Sequence, residues 1–133
     1  MLRKMIERYK KGYCREDLWS IDGWFMDTFP NMLRDFSKNT ICVPITPELQ
    51  KDAHKLPIEW VEQQELNDIF SEEDCWKLII LRMAYCFEHL NEFHEDYQYY
   101  WENAKYAEKN KIMMEYKKEA FKLFEKYFFN LWW

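Results

Sequence analysis

"SEEDCWKLIILRMAYCFEHL", residues 71–90, decides the fold. Ser71 followed by Glu72, Glu73 and Asp74 is a helix start. A serine oxygen accepts from first-turn amides, and acids there meet the positive end of the helix dipole. Behind this cap Trp76, Ile79 or Ile80, Met83, Phe87, Leu90 and Phe93 recur at steps of three and four residues, and Leu78, Leu81 and Tyr85 widen the stripe. A helix that is apolar around so much of its circumference is buried on most sides. The spacing predicts a central helix near residues 72–94 with other helices packed around it.

The rest of the chain supplies those neighbours. Leu2 to Lys11 reads as a short helix closed by Gly12, a good stop. Asp17 to Ser37 reads as a second, with Asp17 as its N-cap. Leu18, Ile21, Phe25, Phe29, Met32 or Leu33, and Phe36 share one face of it, and Pro30 is expected to bend or split it. From Asn39 to Pro57 the periodicity breaks into an extended crossover with a short turn of helix at Pro47 to Ala53. Pro57 opens a short helix from Ile58 to about Gln64. Residues 96–110 are tyrosine-rich and weakly amphipathic. The last helix, about Lys111 to Leu131, turns Met113, Tyr116, Ala120, Leu123, Phe124, Tyr127 and Leu131 inward. With two glycines and four prolines the chain lacks the turns of an all-β protein. The expectation is a single all-α domain, 1–133, built as a compact bundle of four to six helices.

Composition narrows the function classes. Aromatic residues make up 20% of the 133, seven of them tryptophan, so large flat side chains build the core. The net charge of −5 and the acidic stretch from Glu59 to Asp74 argue against a nucleic-acid binder, which carries a basic face. Lysines from Lys105 to Lys126 are interleaved with glutamates and read as a solvated helix face. The apolar run Leu78 to Leu81 is too short to span a bilayer, and MLRKMIERYKKGYC has no apolar core of a signal peptide, so no membrane association is expected. Cys14, Cys42, Cys75 and Cys86 show no CxxC spacing and read as reduced, mostly buried thiols, with no metal site and no cofactor.

The candidate ligand site is DLWSIDGWF, residues 17–25. Asp22 is one turn from both Leu18 and Phe25, on their apolar face, where an unpaired carboxylate is costly. It either pairs with Arg15, Arg34, Arg82 or a tryptophan N–H to order the core, or bonds a polar ligand on which Trp19 or Trp24 stacks. Arg82 interrupts LIILRMAYCF and is either a partner for a buried acid such as Asp22 or an anion-binding group at a pocket edge. His89 and His94 in FEHLNEFHED are five apart and off a common face, which disfavours metal. Cys86 with His89 is a weak pairing for nucleophilic chemistry. No P-loop, Gly-rich dinucleotide turn or serine elbow is present, so a non-enzymatic protein is expected. The enzyme alternative is a metal-dependent hydrolase using Asp17, Asp22 and a neighbouring acid. Tyr97, Tyr99, Tyr100 and Trp101, and the ending YFFNLWW, carry more aromatic surface than one small core hides. Trp132 and Trp133 are therefore expected at a subunit interface in a homo-oligomer.

Gly12-Tyr13, Asp17-x-Trp19-x-Ile21-Asp22 and Met32-Leu33 resemble a motif of small uncharacterised helical proteins of bacteriophages and prophages. The ending Leu123-Phe124-x-x-Tyr127-Phe128-x-x-Leu131-Trp132 resembles the end of the same family, and Trp76, Ile79, Met83 and Phe87 are similar to its central helix. Asn39 to Phe70 has no counterpart there. The resemblance implies a viral protein acting in the host bacterial cytoplasm against host defence. One such role is a sponge that sequesters a nucleotide signal by base stacking and phosphate contacts. The other is an inhibitor that binds and blocks a host defence protein through complementary charge.

Overall fold

The computed structural model describes residues 1–57, 60, 71–94 and 107–132. The short helix expected from Ile58, the Tyr97–Trp101 aromatic patch and Trp133 lie outside the described residues, as do the side chains of Phe93 and His94. Among the described residues there are five α-helices: α1 (Leu2–Lys11), α2 (Ile21–Asn39), α3 (Glu48–Lys55), α4 (Glu72–His94) and α5 (Ala107–Tyr127). A 3-10 turn, Arg15–Trp19, joins α1 to α2, and another, Phe128–Asn130, follows α5. There is no strand among the described residues. The expected all-α bundle with a central helix is what the chain forms.

α4 is that centre. Ser71 Oγ accepts from the Asp74 amide at 3.1 Å, the cap read from the sequence. From Cys75 to Phe87 every residue except Lys77 and Tyr85 is buried. α2, α3 and α5 each pack against it. Leu49 and Ala53 seat α3, while Met113, Ala120, Leu123 and Tyr127 seat α5. Much of the packing is ring against ring. Phe25 and Phe29 of α2 stack at 4.8 Å, and both meet Phe87 of α4 edge-on at 5.3 and 5.6 Å. Phe124 of α5 closes on Phe29 at 5.1 Å. Edge-to-face pairs of this kind add about 0.5–1.5 kcal/mol beyond area burial.

One expectation about α2 is corrected and another is narrowed. Asp17 is not its cap: the Asp17 carboxylate turns back to accept from the Cys14 amide at 2.8 Å and from Arg8 at 3.1 Å, which fixes the 3-10 turn instead. Ser20 caps α2 by accepting from the Gly23 amide at 3.3 Å. Leu18 therefore belongs to a different element, and the predicted stripe loses its first members. Leu18, Ile21 and Met32 are exposed, while Leu33 is buried and Phe25, Phe29 and Phe36 pack on the core. Pro30 does not split the helix. Its missing N–H costs one backbone bond, but its ring is buried, and α2 runs through it from Ile21 to Asn39.

Ion pairs lock the helices around this core. Arg34 of α2 donates through Nε and Nη2 to both oxygens of Glu88 on α4, at 2.5 and 2.9 Å. At the α3–α5 junction Asp52 accepts from the Tyr127 hydroxyl at 2.7 Å and from Lys126 at 2.5 Å, and Lys126 also reaches Glu48 at 3.0 Å. All four cysteines are free thiols, three of them buried.

Candidate functional site

α2, α4 and α5 do not close completely at the end where α2 begins. An open groove of ≈ 590 Å³ remains there. Ile21, Phe25 and Met26 form one wall, Phe87 and Leu90 the floor, and Met113, Met114, Phe121 and Phe124 the other wall. Among the described residues, the charged side chains that line it are Asp22 and Lys117. A volume between about 300 and 1,000 Å³ with a mainly apolar lining is what binding sites present. On the outer side of α5 a shallower depression shares Met114, Lys117 and Phe121 with the groove and adds Lys111, Lys118 and Glu115, so lysines dominate that edge.

The helical period explains why α5 serves both core and groove. Met113, Tyr116, Ala120, Leu123 and Tyr127 point one way. Met114, Lys117, Phe121 and Phe124 occupy the adjoining arc, rotated by about a quarter turn. Sequence reasoning took the first arc and Phe124 as inward-facing and missed Met114, Lys117 and Phe121. Their signal was the pair Met114 and Phe121, seven residues apart, beside a core stripe that was already complete.

The site residues predicted from sequence are scattered by the fold. Asp22 lines the groove. It sits where α2's apolar stripe runs out over open space, so it is exposed rather than buried, and Ser20 Oγ donates to it at 2.8 Å. Trp19 is 85% exposed in the 3-10 turn, and neither it nor Trp24 lines the groove. Arg82 is elsewhere again. It donates through Nε and Nη2 to both oxygens of Glu119 on α5, at 2.8 and 2.9 Å. Its guanidinium also lies 5.3–5.9 Å from the ring centres of Trp60, Tyr85 and Tyr116. Arg82 is a clamp between α4 and α5, and the acid it pairs with is Glu119 rather than Asp22. Trp132 is 60% exposed beyond α5.

The reactive groups weighed for catalysis are held in ordinary structural roles. Burial pushes the Cys86 thiol up to about 12, so the thiolate needed for attack is suppressed. His89 meets the Tyr85 carbonyl of its own helix at 3.0 Å, and its ring lies against Tyr85 and Tyr116. No group of three His, Cys, Asp or Glu side chains placed to hold a metal ion occurs among the described residues, so Asp17 and Asp22 do not gather with a third acid there. No helix among the described residues is long and apolar enough to cross a membrane. Compared with protein-family models, curated proteins and solved structures, the chain matches none of them.

Proposed function

We propose that this chain is a non-catalytic binding protein whose groove receives the apolar side of an acidic amphipathic helix on a partner protein. In the phage setting implied by the sequence resemblance, that partner is a host defence protein which the binding blocks. The observation that carries this reading is the lining of the groove. Methionine and phenylalanine dominate it, with Met26, Met113 and Met114 on facing walls. Unbranched, polarisable methionines adapt to the side chains that a docked helix projects at every third and fourth position. Lys111, Lys117 and Lys118 along one edge select for acids beside that apolar stripe.

The nucleotide-sponge reading is supported less. It asks for stacking tryptophans and a free arginine around Asp22. Of that set Asp22 alone lines the groove, and Arg82 is committed to Glu119.

The test uses two labelled helical peptides with the same apolar residues, one with glutamates flanking the stripe and one with lysines, followed by fluorescence anisotropy. The acidic peptide is expected to bind and the basic one to bind at least about tenfold more weakly. Met114→Glu, at a residue 49% exposed, is expected to abolish binding without loss of fold, whereas Trp19→Ala leaves it unchanged. Equal binding of both peptides, or binding indifferent to Met114→Glu, would defeat the proposal. Calorimetry against a nucleotide panel runs beside it, and tight binding lost in Asp22→Asn would return the sponge to first place.

A further inference from the structure

α1 is built inside out relative to an ordinary surface helix. Its apolar residues, Leu2, Met5, Ile6 and Tyr9, fall at steps of three and four on one face, and its charged residues take the other. In a soluble bundle the apolar face normally packs inward. Here the charged face is the attached one. Arg3 bonds Glu16, Arg8 bonds Asp17 at 3.1 Å, and Glu7 accepts from the Arg15 amide at 2.8 Å. No residue of α1 is buried. Leu2 is 71% exposed, Met5 63%, Ile6 45% and Tyr9 92%. Gly12, at φ 83, ends the helix by donating its N–H to the Arg8 carbonyl at 2.9 Å. The ion pairs thus hold the helix with its oily side facing solvent.

We infer that α1 is a docking element for an anionic membrane surface. An interfacial helix needs an apolar face that enters the headgroup layer and basic side chains that meet anionic lipid. α1 carries five basic residues and one acid on a chain whose net charge is −5, so it is a basic pole on an otherwise acidic molecule. Lys10 and Lys11 lie in its last turn, and neither forms an ion pair among the described residues. Charge argues against a second copy as the occupant. Two α1 helices laid face to face bring two basic elements together, and the apolar groove of another copy is edged by Lys111, Lys117 and Lys118. The expectation of no membrane association rested on the absence of a spanning segment, and a helix lying in the interface needs none.

Flotation of the full chain with large unilamellar vesicles tests this. One set is phosphatidylcholine alone and the other is equimolar phosphatidylcholine and phosphatidylglycerol. The expected result is binding to the anionic set that weakens with salt. Lys10→Glu, at the border of the apolar face, is expected to lower it at least about fivefold, the equivalent of about 1 kcal/mol per basic residue near such a surface. Ile6→Glu is expected to remove binding while Ile6→Leu keeps it. Because no α1 residue is buried, circular dichroism and the unfolding midpoint of Ile6→Glu are expected to match the parent. No binding to anionic vesicles overturns the inference, as does binding that survives Ile6→Glu. Light scattering is run on the same samples. A dimer that Ile6→Glu dissolves, with no vesicle binding, overturns it in favour of a second copy.

Discussion

Arg82 offers a test of what a charge in the middle of an apolar helix is for. If it is a clamp, removing its two partners one at a time has unequal consequences. The Arg82 side chain is 9% exposed and that of Glu119 31%. Glu119→Ala strands a guanidinium that water barely reaches. Breaking a fully buried pair in this way costs about 3–5 kcal/mol. Here the rings of Trp60, Tyr85 and Tyr116 retain part of the attraction, worth about 0.5–2 kcal/mol in all, and the space left by Glu119 opens toward solvent. The expected loss is about 2–3 kcal/mol, a large share of a stability of about 5–15 kcal/mol. Arg82→Met keeps most of the volume and leaves Glu119 free to turn to water, so it is expected to cost only about 1 kcal/mol, near the low end for lost charge-assisted bonds. Arg82→Met with Glu119→Leu is expected to be more stable than Glu119→Ala alone, because no charge is then left stranded. Urea unfolding followed by far-UV circular dichroism and tryptophan fluorescence measures all four proteins, with constant slopes showing that the unfolded states are comparable. A larger loss from Arg82→Met than from Glu119→Ala would refute this reasoning. So would two neutral substitutions combined with lost binding of an anionic ligand, which would restore Arg82 to a site role.

The α3–α5 junction predicts stability that falls at both ends of the pH scale. Burial works to raise the Asp52 carboxyl, but the bonds from Lys126 and Tyr127 outweigh it and hold it below the usual carboxylate range. Its contribution is complete above about pH 4 and is lost as pH falls through the lowered value. Burial and the Asp52 contact both push the Tyr127 hydroxyl up. That contribution is present below about pH 10 and disappears as pH rises through the raised value. Thermal melts across pH are expected to show both limbs, with the acid limb shallower in Asp52→Asn; an unchanged acid limb in that variant would count against the assignment. Gly12→Ala forces a side chain into left-handed backbone at a cost of about 1–2 kcal/mol, although a Cβ there meets nothing within 4 Å. Since α1 buries nothing, the strain is expected to speed amide exchange within α1 at least about fivefold and to leave the global midpoint unmoved; a shifted midpoint would show that α1 is part of the cooperative core.

α4 was readable because its signals agree: a serine cap, acids in the first turn, and apolar residues on nearly every side. α3 was readable from Pro47 and the break in periodicity before it. The start of α2 was not, because Asp17 and Ser20 are both good caps, and the choice was made by Arg8 and the Cys14 amide, which lie outside the helix. That three-residue difference carried Leu18 off the stripe and Asp22 out of the core. It dissolved the case for a buried aspartate–arginine pair. The partner of Arg82 was equally out of reach, since Glu119 lies 37 residues away along the chain and nothing in its own surroundings sets it apart from the other α5 acids.

Periodicity names the residues that share a face, but it does not say what the face meets. On α5 the core stripe and the groove arc are neighbours, and both contain methionine and phenylalanine. Only the positions of α2 and α4 decide that Met113 and Phe124 are shared between core and groove while Met114 and Phe121 stand at the opening. α1 shows the reverse case. Its amphipathic character is plain in the sequence, and the ordinary assumption would bury Leu2, Met5, Ile6 and Tyr9. That assumption fails because the Arg15 amide, Glu16 and Asp17 offer α1's charged side a better set of partners than α1's apolar side finds in the core that α2, α3, α4 and α5 build. Exposed apolar surface held in place by specific ion pairs persists because those pairs set the helix's orientation. The same pairs keep that face available to whatever surface can cover it.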